Sequence, residues 1–155
     1  MIINLTINGI EKRIDVELDA YLLDVLRETG LNSVRRACDT STCGICTVLL
    51  DDKPVLSCSV LAVRADGHSI ITIEGIAKEA EKIADLMTKE GSEQCGFCSS
   101  GLVLNIYSMR NELKNLSDDE IRERLVGNLC RCSGYMAQQR AITKYLEVLK
   151  NETQI

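Results

Sequence analysis

Apolar and polar residues alternate from the start of the chain. Ile3, Leu5 and Ile7 are separated by Asn4 and Thr6, the period-two pattern of a half-buried strand. Asn8-Gly9 follows, and both residue types tolerate the positive φ that a type I′ hairpin turn needs. Ile14, Val16 and Leu18 resume the alternation and predict the return strand. Over residues 21–28 the spacing changes: Leu22, Leu23, Val25 and Leu26 fall on one face of a short helix, with Gly30 suited to its C-terminal cap. A cysteine-bearing loop spans residues 35–46. Further strands are predicted over 47–50, 55–58 and 70–73, with Asp51-Asp52-Lys53-Pro54 as a turn between the first two.

Beyond Glu74 the period becomes helical. Residues 79–90 place Ile83, Leu86 and Met87 on one face and stop at Gly91. Residues 99–109 predict a second helix. Ser117 with Glu120 three positions on is a capping box, opening a third helix that runs to Val126 and stops at Gly127. The fourth, over 137–149, carries Ile142, Tyr145, Leu146 and Leu149 on one face, and residues 150–155 are a polar, frayed end. The chain therefore reads as α+β: a β-rich domain over 1–75 and an all-helical domain over 76–155. There is no internal repeat and no low-complexity segment.

Composition narrows the possibilities. The chain has 155 residues, 45% of them hydrophobic but only 3% aromatic, so its core is built from Ile, Leu and Val. A domain of half this length buries only ~60% of its unfolded surface. A cross-link or bound metal in each half would help it fold. With 18 basic against 23 acidic residues, a net charge of −5, no long basic run and few aromatics, nucleic-acid binding is not expected. No apolar run approaches the ~18–20 residues of a membrane span. The N-terminus reads as a strand and not a signal peptide. A cytoplasmic location is expected, and there clustered cysteines bind metal or do chemistry more often than they form disulfides.

All eight cysteines fall into two sets of four. The first is Cys38, Cys43, Cys46 and Cys58. Its C-x4-C-x2-C run is the spacing of plant-type [2Fe–2S] sites, in which a loop wraps a compact anionic cluster and points backbone N–H groups at the sulfurs. Gly44, between two of these cysteines, allows a close backbone approach. The second set is Cys95, Cys98, Cys130 and Cys132. A C-x-C pair is awkward for one tetrahedral zinc but suits one iron of a two-iron cluster. Both pairs precede predicted helices, whose N-termini favour an anion. The rivals are zinc and a group of buried cysteines. Zinc prefers two-to-four-residue knuckles and often recruits His, and the single His68 sits in a turn beside Gly67 and reads as a surface residue. Arg35, Arg36 and Arg131 flank the cysteines; they offset cluster charge or face solvent or a partner. No Ser/His/Asp arrangement, phosphate-cradling Gly loop or carboxylate pair is present, so no substrate site is expected on this chain.

The runs Cys43-Gly44-Ile45-Cys46-Thr47-Val48, Gln94-Cys95-Gly96-Phe97-Cys98 and Gly127-Asn128-Leu129-Cys130-Arg131-Cys132-Ser133-Gly134-Tyr135 resemble the iron–sulfur subunit of the molybdenum hydroxylases. That family includes xanthine dehydrogenase, aldehyde oxidoreductase, nicotinate dehydrogenase and carbon monoxide dehydrogenase. The resemblance covers roughly residues 3–149. It implies a β-grasp ferredoxin-like domain and a four-helix-bundle domain, each with one [2Fe–2S] cluster. It also implies a molybdopterin-binding large subunit and an FAD-binding medium subunit as partners. The second cluster would lie beside the molybdopterin, with Gln94 and Cys132 in reach of it, and the first toward the flavin. The implied function is electron transfer during hydroxylation of an N-heterocycle, such as a purine, or of an aldehyde. Ala37 and Ser41 stand where the family usually has Gly, and Ser99-Ser100 where it usually has Thr-Pro. A Cβ at position 41 is expected to force a different turn. Two other readings, a free ferredoxin-like carrier and a zinc-binding interaction module, are separated from this one by partner co-purification and by iron content.

Overall fold

The computed structural model describes residues 1–111 and 116–152. Strands β1 (Ile2–Ile7) and β2 (Ile10–Asp15) form the expected hairpin, with Ile3 opposite Ile14 and Ile7 opposite Ile10. Its turn holds Asn8 at φ 51° and Gly9 at φ 80°, the two positive values that the dipeptide predicts. Helix α1 (Leu22–Glu28) follows, then β3 (Thr47–Leu50), β4 (Lys53–Leu56) and β5 (Ser69–Ile71). The five strands form one sheet in the order β2-β1-β5-β3-β4. β1 and β5 are parallel and the other pairs antiparallel.

Several local expectations are corrected. The return strand stops at Asp15. Val16 is still buried, but Leu18 is 67% exposed, because the chain turns where the Ala20 N–H donates to Glu17 O. Pro54 lies in β4 opposite Leu49, not in a turn. It is tolerated there because β4 is an edge strand. The turn itself is only Asp51-Asp52, both at positive φ. Cys58 sits in a 3₁₀ turn over Ser57–Ser59, and Ile73 opens another over Ile73–Ile76.

Four helices fill the rest: α2 (Ala77–Lys89), α3 (Ser99–Ser108), α4 (Asp118–Leu125) and α5 (Met136–Glu152). The capping box is formed: the Glu120 N–H donates to Ser117 Oγ and the Ser117 N–H to Glu120 Oε2. Of the expected frayed end, residues 153–155 lie outside the described residues. No helix among the described residues is long and apolar enough to cross a membrane.

Two apolar cores result, and they share the sheet. One lies between the sheet and α1 and contains Ile3, Leu5, Ile7, Leu22, Leu23, Leu26, Val48 and Ile70. The other gathers Ile83, Met87, Leu102, Val103, Ile106, Ile121, Ile142 and Tyr145 from the helices, together with Leu49 of β3. Val48 and Leu49 thus serve opposite faces of one strand, as the pleat requires. α3 is buried continuously from Ser100 to Ile106, the pattern of a helix enclosed on all sides. It comes so close to the first cysteine loop that a Cβ on Gly101 would stand 2.5 Å from Gly44 O.

Candidate metal centres

The first cysteine loop runs from the end of α1 into β3. Gly44, at φ 69°, turns the chain between Cys43 and Cys46. A Cβ there would lie 1.9 Å from Gly127 O, so glycine is needed for both the turn and the approach. Ser41 also holds a left-handed φ of 55°. The turn expected of Gly is therefore kept, against the expectation of a different one, at a strain of roughly 1–2 kcal/mol. Its hydroxyl lies 3.7 Å from Cys58 Sγ. Cys43 and Cys46 are buried, while Cys38 and Cys58 are half-buried.

The four sulfurs meet in pairs. Cys38 is hydrogen-bonded to Cys43, and with the Thr42, Thr40 and Cys43 N–H groups this brings its thiol down to about 6. Burial pushes Cys43 up. Burial likewise pushes Cys46 up to about 11. Its partner Cys58 is opposed by burial but brought down by Ser59, Cys46 and Ser41.

The second site pairs across its two motifs. Cys132 Sγ lies 3.5 Å from Cys95 Sγ, and Cys98 hydrogen-bonds Cys130. Cys95/Cys132 and Cys98/Cys130 are thus the neighbouring sulfurs of the second site. The Phe97 N–H and then Cys132 lower Cys95, and the same thiol contact raises Cys132. Burial pushes Cys98 up to about 12. Cys130, opposed by burial, is lowered by the Ser133 hydroxyl and N–H and by the Cys132 N–H. In every pair one thiol is held down and its neighbour pushed up; burial is the main cause for Cys43, Cys46 and Cys98, and the Cys95 contact for Cys132.

Only one pair stands at a helix N-terminus. Cys98 caps α3, whereas α5 begins four residues beyond Cys132, after Gly134 and Tyr135 at positive φ. The donors to Cys130 therefore come from its own loop.

These pairs fit a two-metal cluster. Thiolate–metal bonds of ~2.3 Å place two sulfurs of one tetrahedral ion ~3.8 Å apart, near the Cys95–Cys132 separation. Among the described residues no three His, Cys, Asp or Glu side chains are gathered as a preformed metal site; the sulfurs meet two by two. His68 bonds Asp51 Oδ2 through Nδ1 at 2.6 Å on the exposed surface, as its turn position suggested.

The two sites adjoin. The Leu129 N–H, next to Cys130, donates to Cys43 O at 2.9 Å. Asn128 Nδ2 donates to Gly44 O at 3.2 Å, and its Oδ1 accepts from Asn105. Ser100 Oγ donates to Ser33 O at 2.8 Å, a use for the serine at that position. A cavity of about 390 Å³ opens between the sites, walled by Ala37, Ile45, Phe97, Leu129 and Arg131. Gln94 is exposed, and its Nε2 donates to Cys132 O at 3.2 Å. Arg131 is exposed on the cavity wall, and Arg36 pairs with Asp24. Arg35 Nη1 donates to Gly96 O and Phe97 O of the second loop, acceptors that its position beside the first cysteines did not specify.

Fold and site together define an iron–sulfur protein with two adjacent cysteine centres. Residues 5–68 match the 2Fe-2S iron-sulfur cluster binding domain, and residues 72–143 the [2Fe-2S] binding domain. The chain is 38% identical over 152 residues to the nicotinate dehydrogenase small FeS subunit of Eubacterium barkeri, covering 96% of this chain and 97% of that one. It is 42% identical over 137 residues to the xanthine dehydrogenase iron-sulfur-binding subunit of Escherichia coli O157:H7, covering 86% of each. The quinoline 2-oxidoreductase structure from Pseudomonas putida 86 superimposes with a TM-score of 0.89 at 39% identity, over 97% of this chain and 96% of that one. The chain belongs to the family of small [2Fe–2S] subunits of molybdenum hydroxylases, which are oxidoreductases.

Proposed function

We propose that this chain is the electron-transfer subunit of a cytoplasmic molybdenum hydroxylase. Cys38, Cys43, Cys46 and Cys58 would hold one [2Fe–2S] cluster, and Cys95, Cys98, Cys130 and Cys132 the other. Each cluster, when bound, accepts and releases single electrons. The observation that carries the reading is the pairing of all eight sulfurs in two sites joined by the Leu129 N–H to Cys43 O hydrogen bond. Only one hydrogen bond and a short run of covalent bonds separate a ligand of one site from a ligand of the other.

The chain receives electrons at the edge formed by Gln94, Cys95 and Cys132, all exposed. There a molybdopterin-binding large subunit docks, with Gln94 and Cys132 toward the molybdopterin. It passes them from the second site to the first, toward FAD on a medium subunit or another acceptor. An apolar surface beside the second site supports permanent assembly: Val126, Leu129, Tyr135 and Met136 are all exposed around one groove. Residues 1–75 form a β-grasp ferredoxin-like domain and 76–155 a four-helix-bundle domain, in keeping with the two matched regions. The substrate of the complex is an N-heterocycle or an aldehyde.

Purification of the chain from its host with its native partners tests the assignment. A large molybdenum-containing subunit should accompany it, and an oxidisable N-heterocycle or aldehyde should bleach its visible absorption. A monomer that shuttles electrons with no partner would instead establish a free carrier.

A further inference from the structure

Arg35 stands three residues before Cys38, on the loop of the first site, yet its guanidinium serves the second. Nη1 donates to Gly96 O at 2.7 Å and to Phe97 O at 2.9 Å. Its Cζ lies 5.2 Å from the centre of the Phe97 ring. The neighbouring Arg36 is turned away, paired with Asp24 at 2.5 Å and 3.9 Å from Asp39.

The Gly96 carbonyl and the Phe97 N–H belong to one peptide group. Its N–H end hydrogen-bonds Cys95. Arg35 therefore grips the oxygen end of the peptide whose hydrogen end touches a cysteine of the second site. Gly96, at φ 70°, gives the turn its shape. A peptide is planar, so fixing the carbonyl fixes the direction of the N–H. A cation at the oxygen also polarises the group, and linked hydrogen bonds strengthen one another. Hydrogen bonds to the sulfurs are among the factors that set a cluster's potential.

We propose that Arg35 is a positioning residue for the second cluster, acting through the Gly96–Phe97 peptide on Cys95 and raising that cluster's potential. The loop of the first site thereby sets the redox poise of the second. This rests on the reading of Cys95, Cys98, Cys130 and Cys132 as a cluster site. The role suits Arg, whose planar guanidinium reaches two carbonyls through Nη1 while lying over a ring; Lys keeps the charge without that geometry.

Redox titration followed by EPR on the full chain, isolated with the subunits that accompany it, tests the proposal. In Arg35→Gln the ratio of reduced to oxidised second cluster at fixed potential should fall several-fold. A tenfold fall corresponds to a midpoint about 59 mV lower for a one-electron couple. The first cluster's midpoint should hold. Arg35→Lys should give a smaller fall of the same sign, and Arg36→Gln none. An unchanged second midpoint in Arg35→Gln overturns the proposal, as do equal shifts of both clusters or an equal shift in Arg36→Gln. If Arg35→Gln does not load with iron, Arg35→Lys decides: a lowered second midpoint supports the role and a wild-type value overturns it. Failure of the cluster reading is told apart without any variant, because the wild-type chain would then show no cluster signals.

Discussion

Gly101→Ala probes the close approach of α3 to the first cysteine loop. Gly101 lies within α3, where Ala is favoured over Gly by about 1 kcal/mol. On propensity alone the substitution stabilises. The packing predicts the opposite. The new Cβ would stand 2.5 Å from Gly44 O, 2.8 Å from Ile45 O and 3.1 Å from the Ile45 carbonyl carbon. Ordinary C···O contacts are ~3.3 Å or longer, so α3 must withdraw by roughly 0.8 Å. The clashing atoms are backbone on a loop pinned by its cysteines, which places the overpacking cost near the upper end of the usual range, ~3 kcal/mol. Withdrawal also stretches the Ser100 to Ser33 hydrogen bond, worth ~1 kcal/mol. Less the gain in helix propensity, the net loss is ~3 kcal/mol. At ~2–4 °C per kcal/mol the melting temperature should fall by ~6–12 °C. The control is Gly127→Ala, whose Cβ meets nothing within 4 Å and which should be neutral or stabilising by up to ~1 kcal/mol. Thermal unfolding of the iron-loaded protein, followed by circular dichroism and visible absorbance, reads both. A Gly101→Ala protein as stable as wild type would refute the close approach of α3 to the first loop.

Other outcomes follow from single residues. Gln138 is buried with neither amide atom bonded among the described residues, so Gln138→Leu should add ~1–3 kcal/mol and raise the melting temperature; a fall would reveal a hidden partner. Asn128→Ala removes the bonds to Gly44 and Asn105 and should cost ~2–4 kcal/mol in denaturant unfolding, whereas a loss below ~0.5 kcal/mol would show the junction does not depend on it. Lys144 and then Arg140 hold the Glu90 carboxyl below its ordinary value. The folded pKa is the lower one, so this stabilisation is present above the unfolded value and is lost as pH falls through the folded value. The gap in melting temperature between wild type and Glu90→Gln should therefore be full at pH 6–7 and close under acid, and a gap that widens under acid would reverse the sign.

Much of this was legible in the sequence because it depends on neighbours along the chain. Asn8-Gly9 specifies its turn, and Ser117 and Glu120 their cap. Misplaced details lay where tertiary context decides. Leu18 continues an alternation that the chain abandons at Asp15, and Pro54 is acceptable in β4 only because that strand is at the edge. The pairing of Cys95 with Cys132 depends on how two distant loops face each other, which spacing does not encode. Gly101 in isolation is only a weak helix residue; its value appears when Gly44 is brought against it. Arg35 has no local partner to betray its role, since its acceptors lie about sixty residues away.

The proposed function stands on eight cysteines holding two two-iron clusters. The most direct measurement is metal and sulfide analysis of the isolated chain together with low-temperature EPR after reduction. About four irons and four acid-labile sulfides per chain are expected, with two distinct signals. Stoichiometric zinc in a colourless protein with no signal on reduction would contradict it.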